Sequence, residues 1–325
     1  MFSTVHYNLV DGLSHESHVG RMGAKNFDHF LAEFSYPVRF FFILTIGTLC
    51  WVEPFFLPEN SIGGVTAIVA QGHFLLGYLY QYKAGKMNQA YAMLYLPVAV
   101  LLFGASIFLP VERLIYVLAA TYFLVHYFYD ERYLLKERAE FSGWKITLPT
   151  IAVLFAETLY RYAGLRYALL LQLAFVVSAA YMLWLILSEI LRIHRLSARN
   201  WYFLATFCIA ATLTLSGKAA PGSLNPNALN FLILMHCANW YWRYVEKFSA
   251  DRKLLRRFSV ETVIINLFLG VLMFFRFHSS YSVFVSALAG VLFVHPYFQV
   301  WSLLHFVVTY RPADNMNWIP MRASA

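Results

Sequence analysis

Apolar residues in the chain fall into long continuous runs, separated by short charged or turn segments. A helix needs about 20 mostly apolar residues to cross the hydrocarbon layer of a membrane. Runs of this length cover residues 38–56, 61–82, 91–109, 111–129, 146–165, 168–190, 200–217, 226–245, 259–277 and 281–310. The sequence therefore predicts an all-α fold, a polytopic membrane helix bundle with about ten transmembrane helices.

The last run is longer than one span requires, and it contains Pro296. Proline removes a backbone donor and clashes with the preceding turn, so we expect a kink or a split there, and a total of nine to eleven spans. Residues 1–36 form a polar N-terminal segment in which 28–36 is a candidate interfacial helix. Residues 37–310 form a single transmembrane helical domain, because no repeat or composition shift marks a second one, and 311–325 form a cytoplasmic tail.

The cations are unevenly divided by this ten-span topology. Of the 25 Lys and Arg residues, 20 fall on the same side of the membrane as both termini. Positive charge gathers in short cytoplasmic loops, so both termini are predicted to be cytoplasmic. The net charge of +8 then reflects topology and attraction to anionic inner-leaflet lipid, not nucleic-acid binding. Membrane lipids and an apolar small molecule are the expected partners, and a bacterial inner membrane is the expected location.

Composition excludes a soluble fold. The chain is 60% apolar and 13% charged, whereas a soluble domain is about 25% charged, and disorder requires low hydrophobicity and high charge. Cys50, Cys208 and Cys237 lie in apolar runs without paired spacing, which predicts neither a disulfide framework nor a thiolate metal site. No segment matches a phosphate loop, a nucleophile elbow or a Rossmann turn.

Five histidines lie inside predicted spans, where an ionisable side chain is costly and is a candidate functional group. They are His73, His126, His236, His295 and His305. All fall on even-numbered spans, which run from the outside to the inside. Counting about 1.5 Å per residue places four of them at a common depth in the inner-leaflet half, with His295 about 15 Å further out than His305. The alternative for any single histidine is a hydrogen-bonding role between helices.

Each histidine opens a tract of aromatic and polar residues that leads to a cation. Asp130 lies four residues after His126 and shares its helix face, so it is predicted as a partner of that histidine or as an additional ligand. Tyr129, Asn239 and Tyr241 are predicted as polar groups of the same pocket. Several neutral imidazoles in a dry aromatic pocket indicate a divalent metal, and iron, zinc and copper are all compatible with them.

The histidine motifs resemble those of the integral-membrane carotene-cleaving oxygenases of the Brp and Blh type. They are QGHFLLGY at His73, HYFYDE at His126, HCANWY at His236 and HPYFQVWSLLH ending at His305. The resemblance implies a non-haem iron, held by transmembrane histidines, that cleaves a long apolar polyene with O₂. Iron is therefore expected ahead of zinc or copper. The chain lacks the close HG…D pair associated with that family, and it is also similar to bacterial multispan membrane proteins with scattered histidines.

Two classes of function remain open. The first is a metal-dependent oxygenase acting on an apolar lipid or isoprenoid that enters laterally from the inner leaflet. The second is a proton-coupled transporter in which the same histidines form a relay, and a histidine-ligated haem is a third option. The HxxxH and HxxHH clusters of fatty-acid desaturases do not occur in the sequence. A rhodopsin is also disfavoured, because the last two predicted spans contain no lysine for a Schiff base.

Overall fold

A computed structural model describes residues 18–56, 61–83, 89–108, 168–193, 226–277, 283–294 and 297–309, together with residues 119, 123, 126–127, 201–202, 205–206, 208–210 and 212–213. Within these residues the regular structure is helical, and no strand occurs. The described helices are α1 (His18–Phe56), α2 (Ser61–Lys83), α3 (Gln89–Phe108), α4 (Ala168–Ile193), α5 (Pro226–Phe248), α6 (Arg252–Phe277), α7 (Val283–Phe293) and α8 (Tyr297–Thr309).

Among the described helices, three are long and apolar enough to cross a membrane. They are the Ser35–Pro54 part of α1, the whole of α2, and Arg252–Phe275 in α6. Helices α7 and α8 pass the same test together, which raises the number of candidate spans to four. These findings agree with a helical membrane protein. Ten spans and cytoplasmic termini remain predictions, because both termini and much of the middle of the chain lie outside the described residues.

Helix boundaries follow the apolar runs closely in α2, α3, α4 and α5, which begin and end within three residues of the predicted limits. Helix α1 is longer than its run: it begins at His18 and includes Pro37 and Pro54. Residues 28–36 are therefore helical, but they continue directly into the first span. Helix α6 also begins early, where Asp251 Oδ1 accepts hydrogen bonds from the amides of Lys253 and Leu254 and caps the helix.

The last apolar run is split around Pro296, as expected. Helix α7 ends at Phe293, α8 begins at Tyr297, and the two are bent by 53° relative to each other. Carbonyls in the last turn of a helix need partners from outside it. Gln71 Nε2 of α2 donates to the Leu292 carbonyl at 2.8 Å, and Trp301 Nε1 of α8 donates to the Val291 carbonyl at 3.0 Å. These bonds fix the break and thereby the direction of α8.

Helices α2 and α5 form the centre of the described bundle. Helix α5 packs against α1, α2 and α6, and α2 packs in addition against α8. Leu76 on α2 and Phe231 and Met235 on α5 are fully buried at these contacts. Helix α8 lies between α2, α3 and α7. Side chains on the facing sides of α2, α5 and α8 are therefore enclosed by protein and shielded from lipid.

Candidate metal centre

Four of the five intramembrane histidines come together in this centre. His73 lies on α2, His236 on α5 and His305 on α8, while His126 is a helical residue between α3 and α4. All four are buried, with exposed fractions from 0% to 4%. We call these four residues the histidine cluster. His295 lies outside the described residues, so its part in the cluster stays a prediction.

The four rings contact one another in a closed loop. The ring centroid of His236 lies 5.1 Å from that of His73 and 4.9 Å from that of His126. The centroid of His305 lies 4.5 Å from that of His73 and 5.6 Å from that of His126. Each histidine therefore touches two others, although the four come from separate parts of the chain.

Three members of the cluster can hold a divalent metal ion. One ligand atom from each of His73, His126 and His236 lies within 4.8 Å of the other two. Ligand nitrogens on one tetrahedral ion, with bonds of about 2.0–2.1 Å, are roughly 3.3 Å apart, so modest side-chain rotations would close the set on an ion. The donor set does not distinguish iron from zinc or copper, because imidazole suits all three.

The surroundings of His73 favour a metal ligand over a hydrogen-bonding residue between helices. Both of its ring nitrogens are buried, and within the described part of the chain neither has a hydrogen-bond partner. A buried polar group without a partner costs about 1–3 kcal/mol. Trp240 packs edge-on against the His73 ring, with centroids 4.4 Å apart, and excludes water on that side. Coordination of an ion would satisfy one of the two nitrogens.

A cavity of about 80 Å³ adjoins the cluster. Its described lining consists of the four histidines with Ala70, Phe74, Ala119, Phe123, Leu229, Ile233, Cys237, Phe298, Gln299 and Ser302. Apart from Phe74 and Cys237, every additional lining residue precedes the histidine of its own helix. The cavity therefore lies on the N-terminal side of all four histidines, which agrees with a common direction of the four helices at this point. None of these lining residues is charged.

The other predicted site residues are placed differently. Asn239 is fully buried, but it accepts a hydrogen bond from Arg39 Nη1 at 2.8 Å and donates to the Tyr202 hydroxyl. Tyr241 donates to the Val69 carbonyl at 3.4 Å and accepts from Asn266 Nδ2 at 3.3 Å. The structure brings neither residue into the described lining of the cavity. Tyr129 and Asp130 lie outside the described residues.

Two polar residues of the cavity were missed by reasoning from the sequence. Gln299 and Ser302 precede His305 on α8 by six and three residues, and all three line the cavity. Polar residues spaced three apart in an apolar helix share one face. That spacing was the signal that could have found them.

Comparison of the chain with protein-family models, with curated proteins and with solved structures finds no match. The relationship to the carotene-cleaving oxygenases therefore remains a prediction from motifs.

Proposed function

We propose that the protein is an integral-membrane oxygenase that uses a non-haem iron and acts on an apolar lipid or isoprenoid substrate. The observation that carries the proposal is the convergence of His73, His126 and His236 within 4.8 Å beside a mainly apolar cavity. His305, whose ring contacts those of His73 and His126, would complete the ligand set. The resemblance of the motifs to those of carotene-cleaving oxygenases supports iron over zinc or copper.

The residues of the cluster would bind the ion through unprotonated imidazole nitrogens, which adds no negative charge in the bundle core. The iron would supply the activation of O₂. When O₂ cleaves a carbon–carbon double bond, that bond and the O–O bond break and two carbonyl groups form, so the alkene supplies all the electrons and no further reductant is required. Phe74, Phe123 and Ile233 line the cavity, exclude water and offer an apolar surface to such a substrate.

The size of the cavity supports a substrate that reacts at one point of an extended chain. Ligand pockets commonly measure about 300–1,000 Å³, whereas this cavity measures about 80 Å³. Only a short part of a lipid or isoprenoid fits beside the histidines. The remainder of the substrate would displace apolar side chains of the lining or extend out of the cavity past Phe298.

Metal analysis of the purified full-length protein tests this proposal. Wild type loaded with Fe²⁺ under anaerobic conditions should retain about one iron per chain, because ligands held close together bind an ion far more tightly than single histidines do. The variants His126→Ala and His236→Ala should each retain less than a tenth of that amount, and the control His18→Ala should retain all of it. A wild type with less than half an equivalent, or variants with unchanged iron, would overturn the metal site.

Incorporation of oxygen tests the reaction itself. Iron-loaded protein incubated with ¹⁸O₂ and a panel of membrane-extracted isoprenoids should yield products carrying ¹⁸O, detected by mass spectrometry. His126→Ala, prepared in the same way, supplies the background. A metal-loaded wild type that leaves every isoprenoid of the panel unlabelled would argue against an oxygenase.

A proton-coupled transporter is the second candidate, and the broken pair of helices α7 and α8 favours it. Transporters place substrate and ion sites at discontinuous helices, and α8, the helix that carries His305, follows a 53° bend. Metal-free protein in proteoliposomes that carries solute only under a pH gradient, and loses this flux in His236→Ala, would support transport over oxygenation.

A further inference from the structure

Gln299 lines the cavity, and in the described part of the chain the oxygen of its side-chain amide is unsatisfied. It is 9% exposed, and its Oε1 is buried without a hydrogen-bond partner within the described residues. The neighbouring Ser302 does not meet this need, because its hydroxyl donates to the Phe298 carbonyl at 3.2 Å. A buried amide oxygen without a donor is costly. The oxygen therefore calls for a donor that comes from a bound molecule.

The rest of the lining restricts what this donor can be. Apart from the histidines, the lining is composed mainly of Ala, Leu, Ile and Phe side chains, and none of these other described lining residues is acidic or basic. Away from the histidines, no described lining residue is a cation that could pair with a phosphate or carboxylate, or an acid that could pair with an ammonium. A hydroxyl group is neutral and can donate to Gln299 Oε1.

We propose that Gln299 binds a hydroxyl group of the substrate, and that the substrate is an apolar or isoprenoid alcohol and not a plain hydrocarbon. This inference deepens the proposed function and rests on it for the identity of the reacting centre. Gln299 precedes His305 by six residues, which corresponds to about 9 Å along the helix axis. The reacting bond would thus lie several carbon atoms away from the hydroxyl group.

Equilibrium binding of tritiated probes measures occupancy of the cavity without any metal. Metal-free full-length protein in lipid nanodiscs is titrated with farnesol or with farnesene, which have the same isoprenoid body with and without a hydroxyl group. Empty nanodiscs supply the lipid background, which is subtracted for each probe.

In wild type, farnesol should bind with a Kd at least tenfold lower than that of farnesene, a difference of about 1.4 kcal/mol. Gln299→Met replaces the amide by an apolar side chain of similar length and should reduce the tenfold preference to about one. Gln299→Leu is the second variant. Gln81→Met makes the same change near the end of α2, outside the described cavity lining, and should keep the preference.

Equal Kd values for the two probes in wild type overturn the inference, as does the absence of saturable binding of either probe above the empty-nanodisc background. A tenfold preference that survives in Gln299→Met also overturns it. The wild-type comparison stands without any variant, so a poorly folding variant does not remove the test. Iron content of the same preparations tests the oxygenase separately: iron binding without a farnesol preference rejects the hydroxyl site alone, and a farnesol preference without iron binding rejects the oxygenase alone.

Discussion

Two buried polar side chains lie one helical turn apart on α5 and meet very different surroundings. Asn239 binds Arg39 through its carbonyl oxygen and Tyr202 through its amide nitrogen. His236, three residues earlier, lies in the histidine cluster beside His73, whose two nitrogens have no hydrogen-bond partner among the described residues. One region of the bundle satisfies its polar groups with its own side chains, and the other presents polar groups that a ligand would satisfy.

The first region is a continuous network that joins α1 to α5. Arg39 Nε donates to Ser35 Oγ at 3.3 Å, and Ser35 Oγ donates to Glu246 Oε1 at 2.6 Å. We call Ser35, Arg39, Tyr202, Asn239 and Glu246 the Arg39 network. An intramembrane charge is by default a functional candidate. Here the contacts of the buried arginine indicate a structural role, and the neutral histidines nearby are the better candidates for chemistry.

The largest effect on stability should come from Arg39→Met. Removing one partner of a buried, hydrogen-bonded charge costs about 3–5 kcal/mol, because the other polar groups of the Arg39 network lose a partner. Thermal unfolding in nanodiscs should show a much lower midpoint, while the folded fraction binds as much iron as wild type. Arg256→Met removes an exposed arginine of α6 and should change neither quantity. Loss of iron from folded Arg39→Met would show that the two regions are not separate.

His73→Leu should have the opposite effect to Arg39→Met: it should lose iron and keep its stability. Iron affinity should fall at least 100-fold, which corresponds to about 2.7 kcal/mol. The thermal midpoint of the metal-free protein should stay the same or rise, because an apolar group replaces two unsatisfied nitrogens. Phe74→Leu, at the next position and also in the cavity lining, should lower stability slightly and keep iron. A strongly destabilised metal-free His73→Leu would mean that His73 serves the fold.

The helices and the histidines could be predicted from the sequence for the same physical reason. Lipid tolerates few ionisable groups, so long apolar runs mark the helices, and the rare histidines within them stand out. The limits of helices α2 to α5 and the break near Pro296 were predicted correctly from these apolar runs and from the proline. The convergence of histidines from α2, α5 and α8 was predicted only from their similar depth in the membrane. Depth alone does not say which way a side chain points.

The direction in which each side chain points could not be predicted. A helix that is apolar all round has no polar face to indicate its rotation. Tyr241 lies five residues after His236, about 140° further round the helix, and it contacts α2 and α6 outside the cavity lining. Arg39 is one of the 20 cations predicted on the cytoplasmic side, and it is fully buried in the structure. Its burial could not be predicted, because the residue that binds it, Asn239, lies 200 residues away in the sequence.

The smallest effects should come from two glycines on α2, and they bear on the fourth histidine. A Cβ at Gly72 would overlap the side chain of Asn266, whereas a Cβ at Gly77 would lie 3.4 Å from His305 Cε1, in ordinary contact. Gly72→Ala should cost about 1–3 kcal/mol and leave iron affinity unchanged. Gly77→Ala should be as stable as wild type, or more stable by about 0.5–1 kcal/mol, yet bind iron a few-fold more weakly, because the added methyl group limits rotation of the His305 ring.

Isothermal titration with Fe²⁺ and thermal unfolding measure the two quantities, and Gly104→Ala is the control, since no atom of another described residue that packs against this glycine lies within 4 Å of a Cβ there. If Gly77→Ala binds iron as tightly as wild type, His305 does not rotate to reach the ion. The site would then consist of His73, His126 and His236, the three residues whose ligand atoms already lie within 4.8 Å of one another. If affinity falls while stability holds, His305 takes part in binding, because the new methyl group contacts His305 and none of the other three histidines.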